Sequence, residues 1–570
     1  MNILEYLQDF LLYDPDKPAS FTQLFFWIFY GAVLGIFSII HPKIALRNAF
    51  LFLISIFFYY KTSGFFFTIL LFSTFTDFWI GKAIYAAVAK RSKQWWLALS
   101  MVLNLSVLAF FKYAYFFTES FNSLLDTHFQ PINYFAHWSN SFFGSNFEAE
   151  KILLPVGISF FTFQTMSYTI DIYRDKLKPV SSMLDFGFYV SFFPQLVAGP
   201  IVRASEFIPQ LYQPFRLTKL QFGLALFWIL NGLLKKTILS DYIAINFIDR
   251  VFANPGSYTG FENLMALYGY SLQVYADFSG YTDIAIGVAL LLGFTLPINF
   301  NSPYKATNAG DFWKRWHISL STWLKDYLYI PMGGNRGGSW FTYIMLSILL
   351  LFACMLAASW TFTLSVIGFI ALLFLLSRIF GVFRLWLITN INLMMTMLIG
   401  GLWHGPSWNF VIWGGLNGIG IVFYKLWRKI SPWESKNTWY KRAWAIFVTF
   451  TFISITRIWF RTGSNNTWEE MNKIHDIWEE LFAANVMLKK ILFGIDWTLA
   501  PQVILAFWNV FLVMLIGFII HWLPSTLKER YRNWFASRSY LLQGTISLVV
   551  IVIVYQVFSA GMNPFIYFQF

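Results

Sequence analysis

The chain has 570 residues, of which 57% are hydrophobic and 21% aromatic, whereas only 12% are charged. Ordinary soluble domains carry about 25% charged residues, so the composition excludes a water-soluble fold and makes the bilayer the solvent of most of the chain. The formal net charge of +13 lies mostly in short connections between apolar runs, which is a membrane-topology pattern and not a nucleic-acid-binding surface.

The amino-terminal segment carries four carboxylates and one lysine before the first apolar run. A cleaved signal peptide needs a positive amino-terminal region, so we expect the run at 21–40 to remain as a membrane helix. The single cysteine, Cys354, lies inside another apolar run. This excludes an intrachain disulfide framework and a cysteine metal cluster, and we predict no metal site.

Apolar runs recur along the whole chain and are judged against the roughly 20 residues that a spanning helix needs. They predict an all-α polytopic membrane protein with about 14 spans and additional re-entrant and interfacial helices. The runs lie at 21–40, 48–60, 64–86, 95–117, 152–172, 217–240, 263–294, 340–360, 364–383, 386–404, 406–424, 443–460, 504–523 and 540–558.

The stretch at 183–203 is apolar but contains Pro194, Gly199 and Pro200. Broken backbone at membrane depth is tolerated only where protein or a wet cavity covers it. We therefore predict a re-entrant segment here.

Loop charges predict the orientation. Segment 118–150 has carboxylates and no Lys or Arg, whereas 87–94 has three basic residues. Positive charge prefers the cytoplasmic side, which predicts both termini outside and places 305–336 and 425–429 in the cytoplasm.

The segment between Arg461 and Thr498 has charges of both signs and apolar residues at spacings of three and four. This spacing predicts an amphipathic helix on the outer surface, acting either as a lid packed on the bundle or as a docking face for a second protein. The predicted organisation is 1–150 for amino-terminal spans and an outer loop, 151–338 and 391–461 for the core, 339–390 for a two-span hairpin, 462–503 for the outer segment and 504–570 for the carboxy-terminal spans.

Two histidines are candidates for chemistry at membrane depth, where polar residues are costly. His404 lies in GGLWHGPSWNF, between tryptophans and glycines that permit close backbone approach, with Pro406 ending its helix. A neutral imidazole can take a proton from a hydroxyl, as acyl transfer to an alcohol requires. The alternative is a packed histidine bonded to a carbonyl.

His317 lies in DFWKRWHISLSTWLKDYLYIPMGGNR, where basic residues alternate with aromatic ones. The pattern predicts a helix in the inner interface, and its cations suit a phosphate-bearing donor. Simple anchoring by Lys, Arg and Trp is the alternative. In the preceding run, Asp277 could orient a histidine or form a structural pair.

Five ordered blocks resemble the membrane-bound O-acyltransferases, and within them the bacterial branch that contains the alginate O-acetylation membrane protein. The blocks are LLPVGISFFTFQTMSYTIDIYR, FFPQLVAGPIVR, YADFSGYTDIAIGVALLLGF, DFWKRWHISLSTWLKDYLYIPMGGNR and GGLWHGPSWNFVIWGGLNG. The resemblance implies that His404 is the central catalytic residue and that His317 is its functional partner. We expect Trp403, Trp408, Asn409, Trp316 and Asp277 to line the substrate tunnel.

Two features depart from that family pattern or extend it. Alginate-type members pass quickly from the GGNR block to the WHG block, whereas 339–390 here inserts two apolar runs. The chain ends NPFIYFQF, and the phenol of Tyr567 could relay an acyl group outside the membrane. The alternative for this tail is an aromatic belt at the interface.

Together these features predict an acyltransferase in the bacterial cytoplasmic membrane. It would move an acyl group, acetyl in the first instance, from a cytosolic thioester to a hydroxyl of a cell-envelope or secreted polysaccharide. The resemblance implies no bound cofactor, a donor such as acetyl-coenzyme A or an acyl-carrier protein, contact with membrane lipid and an extracytoplasmic acetyltransferase partner resembling SGNH hydrolases. The alternatives are a glycolipid carrier or flippase without covalent chemistry, and a membrane scaffold.

Overall fold

The computed structural model describes residues 11–14, 18–143, 152–197, 199–357, 359–435, 438–463 and 477–558. These residues form helices and connecting loops with no strand among them, which confirms the predicted all-α class. The first twelve helices are α1 (Leu24–Ile40), α2 (Ile44–Ser63), α3 (Phe67–Ala86), α4 (Lys90–Leu125), α5 (Tyr134–Phe143), α6 (Ile158–Tyr173), α7 (Met183–Ser191), α8 (Phe193–Leu196), α9 (Ala204–Leu211), α10 (Lys219–Leu234), α11 (Asp249–Ala253) and α12 (Gly260–Leu291). The remaining helices are α13 (Ala309–Trp313), α14 (Ile318–Leu324), α15 (Trp340–Ala357), α16 (Trp360–Ile379), α17 (Gly381–His404), α18 (Trp408–Ile430), α19 (Trp439–Gly463), α20 (Ile477–Phe493), α21 (Ala500–Ala506), α22 (Trp508–Trp522), α23 (Ser525–Ser537) and α24 (Tyr540–Phe558).

Each apolar run of the sequence lies on one or more of these helices. Seven helical segments in the described part of the chain are long and apolar enough to cross a membrane, or eight if the bent pair α21 and α22 counts as one span. Large side chains on their outer faces are exposed, such as Leu505 at 73% and Leu541 at 82%, as expected where lipid replaces water. The chain is thus a multi-pass membrane protein, and the count of 14 spans stays a prediction.

Helix α12 is the centre of the bundle, because it is buried on almost every side between Gly260 and Ala289. It packs closely on α10, where a Cβ added at Gly287 would collide with the carbonyl oxygen of Ala225. Helix α10 continues into π-helical turns at Lys235–Tyr242 and Ala244–Ile248. A helix that is buried on all faces packs against other helices on every side, and it therefore fixes where those helices lie.

The segment predicted to be re-entrant is broken in the structure. Helix α7 ends at Ser191 and α8 begins at Phe193, with Phe192 between them in a non-helical conformation. All three residues are buried, so protein covers the interrupted backbone, as membrane depth requires.

The inserted segment forms the helices α15 and α16, which pack beside α17. A mostly apolar cavity of about 520 Å³ lies between this hairpin and the pair α17 and α18. The outer amphipathic segment is described from Ile477, and Ala484, Met487 and Ile491 of α20 are buried against the core. The described part therefore packs on the bundle, as the lid alternative expects, while residues 464–476 of the segment lie outside the described residues.

Helices α17 and α18 approach each other through two glycines. A Cβ at Gly401 would collide with the carbonyl oxygen of Phe410, and a Cβ at Gly414 with that of Met397. This close approach holds the end of α17 against the start of α18.

We expect Gly401→Ala to destabilise the protein, because the added methyl meets backbone that cannot move aside; overpacking of this kind costs about 1–3 kcal/mol. The measurement is thermal unfolding in detergent. The matched control is Gly35→Ala on α1, where a Cβ meets nothing within 4 Å. An unchanged melting temperature for Gly401→Ala contradicts the close approach of these two helices.

Candidate active site

His404 is the last residue of α17 and is 2% exposed. The chain then turns through Gly405 and Pro406, and α18 begins after Ser407, whose hydroxyl accepts the Asn409 backbone N–H at 3.1 Å. A helix end leaves carbonyl groups that need donors. The turn therefore holds a histidine at a helix terminus inside the bundle.

Lys112 of α4 supplies those donors. Its Nζ donates to the carbonyl oxygens of Trp403 at 2.7 Å and His404 at 3.4 Å, and to the Ser159 hydroxyl at 3.2 Å. A cation at a helix C-terminus is stabilised by the helix dipole and by the open carbonyls. The neighbouring Tyr113 hydroxyl donates to the Leu402 carbonyl at 2.8 Å, so α4 anchors the backbone at the catalytic candidate.

His317 precedes α14 and has a left-handed backbone, with φ 44° and ψ 56°. Such a conformation is costly for a residue with a Cβ and persists only where its surroundings hold it. The Asn299 carbonyl oxygen accepts the Ile318 backbone N–H at 3.0 Å. The amide oxygen of the Asn299 side chain accepts the Ser319 backbone N–H at 3.1 Å and the Ser319 hydroxyl at 2.8 Å.

The same amide oxygen determines the tautomer of His317. It lies 3.3 Å from His317 Nδ1, and because an amide oxygen only accepts, Nδ1 carries the proton. Burial lowers the pKa of His317 to about 3, so the ring is neutral near pH 7 and Nε2 has the lone pair. As the partner of His404, His317 is expected to orient or polarise the thioester carbonyl. Polarisation needs a proton on Nε2, and this tautomer has a lone pair there.

The two imidazole rings lie close together, with centroids 6.4 Å apart. The Trp403 ring contacts both, at 5.7 Å from His317 and 5.0 Å from His404. Trp413 and Phe460 complete the surroundings of His404, at 5.0 Å and 5.4 Å. The structure thus brings together the two histidines that the sequence singles out, in an aromatic and water-poor environment.

A basic vestibule opens near these histidines. We use this name for the cavity of about 770 Å³ whose lining includes the cations Lys314, Lys325, Lys425 and Arg428 and one carboxylate, Asp311. That carboxylate accepts a charge-assisted bond from Arg315 at 2.9 Å. None of the four cations has an ion-pair partner among the residues that the structure describes, so the cavity has a positive potential.

The vestibule reaches the neighbourhood of the histidines without including them in its wall. Its lining contains Gly400, one helical turn before His404, and Leu320, three residues after His317. Trp313 of the lining contacts Trp413 at 5.5 Å. Two ring contacts therefore connect the vestibule to His404.

The depth of His404 along its helix follows from the helix length. Helix α17 has 24 residues, and His404 is 20 residues beyond Arg384, about 30 Å at 1.5 Å per residue. The histidine lies at the end of a helix of full spanning length, and the vestibule lines that helix from Leu393 to Gly400, one turn short of His404.

The other residues expected in the tunnel have different surroundings. Asp277 forms an ion pair with Lys236 at 2.6 Å, so it has the structural pairing that the sequence left open beside a role in orienting a histidine. Lys236 also pairs with Asp241 at 2.8 Å. Trp408 packs on Phe116 at 5.0 Å. None of the expected residues lines the vestibule, and Tyr567 lies outside the described residues.

Asn409 and Trp316 also lie in the walls of the bundle. The Asn409 side chain donates to the Thr462 hydroxyl at 3.1 Å, which ties the start of α18 to the end of α19. Trp316 is buried beneath the guanidinium of Arg457, 4.3 Å from the ring centroid.

Sequence reasoning missed Lys112 and Arg457. Both are buried, at 9% and 2% exposure, and both lie inside apolar runs, at 95–117 and 443–460. An ionisable residue within a spanning segment is itself a signal of function. That signal was present in the sequence for both residues, although nothing in it placed them beside His404.

Comparisons with known proteins agree with this arrangement. The membrane-bound O-acyltransferase family model matches residues 91–379. The probable alginate O-acetylases AlgI of Azotobacter vinelandii and Pseudomonas aeruginosa are 38% and 35% identical over 60% and 70% of this chain, and the matches cover 56% and 65% of those proteins. A peptidoglycan O-acetyltransferase of Helicobacter pylori is 33% identical over 72% of this chain and 70% of its own length. The family resemblance deduced from the five blocks is confirmed.

Proposed function

The chain belongs to the membrane-bound O-acyltransferase family, and from this premise we propose that it transfers an acyl group, acetyl in the first instance, from a thioester to a hydroxyl of a cell-envelope or secreted polysaccharide. The names of its relatives, which describe acetylation of alginate and of peptidoglycan, support this acceptor class.

The observation that carries the proposal is a pair of buried histidines beside a basic vestibule, which two ring contacts connect to His404. A thioester joined to a phosphate-bearing carrier needs cations at the entrance and a dry, apolar channel for its acyl end. Coenzyme A and the phosphopantetheine arm of an acyl-carrier protein both have this chemistry. The four cations of the vestibule wall and the aromatic rings around His404 supply the matching surfaces.

In the proposed reaction, His404 is the general base. The acceptor hydroxyl attacks the thioester carbonyl carbon while its proton moves to the imidazole. The carbon–sulfur bond then breaks, and the leaving thiolate takes the proton from the imidazolium. Holding both reactants against the same ring supplies much of the acceleration.

His317 has the role of an organiser in this proposal. Its Nδ1–H donates to Asn299, and its ring centroid lies 6.4 Å from that of His404. A group other than His317 must then stabilise the developing oxyanion.

The proposed location is the bacterial cytoplasmic membrane, with the vestibule opening toward the cytoplasm and both termini outside. The charge pattern of the loops supports this orientation. An extracytoplasmic partner resembling SGNH hydrolases would complete transfer to a polymer, and a relay by Tyr567 is a further part of the proposal that the described residues do not reach.

The test uses purified protein in liposomes with [¹⁴C]acetyl-coenzyme A inside. Oligosaccharides of alginate or peptidoglycan are supplied outside, with and without a hydrolase-like partner. We expect alkali-labile label on the sugar. Labelled thioester that crosses the membrane intact identifies a carrier, and the absence of both transport and ester supports a scaffold.

The donor site makes a separate prediction. We expect the double variant Lys425→Gln with Arg428→Gln to raise KM for acetyl-coenzyme A by roughly 5- to 30-fold, since each charge contributes about 0.5–1 kcal/mol. Turnover at saturation should stay near the wild-type value. The KM for S-acetyl-N-acetylcysteamine, which has no phosphate, should not change.

The matched control is Lys441→Gln, a basic residue on α19 outside the vestibule wall. Equal increases in KM for the two donors, or an equal effect of the control, would show that the vestibule does not bind the phosphates.

A further inference from the structure

The proposed transfer leaves one requirement unassigned. Attack on the thioester carbonyl places negative charge on its oxygen, and catalysis of acyl transfer depends strongly on donors preorganised around that oxygen. With its proton on Nδ1, as the contact with the Asn299 amide oxygen requires, His317 presents a lone pair at Nε2. The N–H donors of Lys112 are directed to two carbonyls and a hydroxyl.

Arg457 of α19 has the properties that such a donor needs. It is 2% exposed, its Nε has no acceptor, and its guanidinium has no ion-pair partner within the described part of the chain. A buried cation without a counter-ion is expensive. That cost is offset if a bound substrate develops negative charge beside the guanidinium.

Arg457 is connected to each histidine through one neighbouring aromatic residue. It lies three residues before Phe460, on the same face of α19, and the Phe460 ring contacts His404 at 5.4 Å. Long helical side chains point toward the helix amino terminus, which for α19 is the end shared with the basic residues at the end of α18. The guanidinium therefore lies on the vestibule side of the Phe460 ring.

The orientation of the guanidinium keeps its donors available. Arg457 Cζ lies 4.3 Å from the centroid of Trp316, the residue before His317. Cζ also lies 5.6 Å from the centroid of Tyr304. Aromatic rings attract the cation through their faces and accept no conventional hydrogen bond from its N–H groups, which stay available for an acceptor.

We infer that Arg457 is the oxyanion donor of the acyl transfer, with its guanidinium N–H groups directed at the thioester carbonyl oxygen. This inference rests on the proposed function. The acceptor oxygen forms the new carbon–oxygen bond while His404 takes its proton, the carbonyl electron pair moves onto the oxygen held by Arg457, and the pair returns as the carbon–sulfur bond breaks. The thiolate leaves with the proton from His404.

The test compares Arg457→Met and Arg457→Lys with wild type in the acetyl-coenzyme A assay. Loss of one oxyanion donor lowers kcat by about 10²–10³-fold, so we expect this fall for Arg457→Met with KM for acetyl-coenzyme A within threefold. Arg457→Lys keeps the charge without the planar fork, and its kcat should lie between the other two.

Arg461→Met is the matched control. Arg461 lies one turn further along α19 and pairs with Asp249 at 2.8 Å, so its loss should lower the melting temperature and leave kcat within threefold. If Arg457→Met does not fold, Arg457→Lys provides the test. Lysine keeps a buried cation beside Trp316 without the planar fork, so full kcat in this variant shows that the role of Arg457 is structural.

The outcomes separate this inference from the proposed function. A wild-type protein that makes no ester from any thioester overturns the proposed function. An active wild type with unchanged kcat in both folded Arg457 variants, or an equal fall of kcat in the Arg461 control, overturns the inference about Arg457 and leaves the acyltransferase in place.

Discussion

Replacement of His404 by glutamine is expected to lower turnover by about 10²–10⁴-fold, the range that a general base contributes. Glutamine is similar in size and keeps a donor and an acceptor, but its amide cannot take the proton of the attacking hydroxyl. The binding of acetyl-coenzyme A should change little, because the cations of the vestibule are at a distance from this ring. The measurement is ester formation per enzyme under saturating donor.

The control for this variant is His521→Gln. His521 is also 2% exposed, and its Nε2 accepts the Tyr304 backbone N–H at 3.2 Å, so it reports the cost of replacing a buried imidazole outside the proposed site. We expect near-wild-type turnover for it. Ester formation by His404→Gln at the wild-type rate would falsify the assignment of the base.

The second large effect is expected for Lys112→Met. Methionine fills much of the same volume and removes the three donor bonds to Trp403, His404 and Ser159. A buried carbonyl left without a donor costs about 1–3 kcal/mol, and the end of α17 should shift to find new partners. We expect a lower melting temperature together with a fall in turnover of about 10- to 100-fold, because small displacements of a catalytic group are costly.

A buried lysine elsewhere in the bundle shows whether this fall is specific. Lys61 is 4% exposed and donates to the Leu12 carbonyl, far along the chain from His404. Lys61→Met should reduce stability without slowing the folded enzyme. If Lys112→Met reduces only stability and the folded fraction turns over normally, Lys112 does not position His404.

The geometry around the two histidines supports giving them different tasks in the proposed reaction, although their burial is similar. His317 is held by Asn299 in one tautomer and by a left-handed backbone in one orientation. His404 lies at the end of a helix whose carbonyls are held by Lys112. The fixed histidine suits an organising role, while His404, which two ring contacts connect to the vestibule, suits proton transfer.

The amino-acid sequence by itself was sufficient for the all-α class, the helical nature of every apolar run and the broken segment at 183–203, and it singled out the two histidines as candidates. These features are local, since hydrophobic run length, proline and glycine placement and motif order are all read from neighbouring residues. Span count and orientation also come from local patterns, and they stay predictions because the structure contains no membrane.

Only the tertiary structure decided which distant residues complete the site. Lys112 and His404 are 292 residues apart in the chain, and neither the pairing of Lys236 with Asp277 nor the stacking of Arg457 on Trp316 has a signal in local periodicity. Burial leaves a polar group dependent on whichever partner the packing brings within hydrogen-bond distance. That partner is selected by how helices from opposite ends of the chain pack, which no short stretch of sequence encodes.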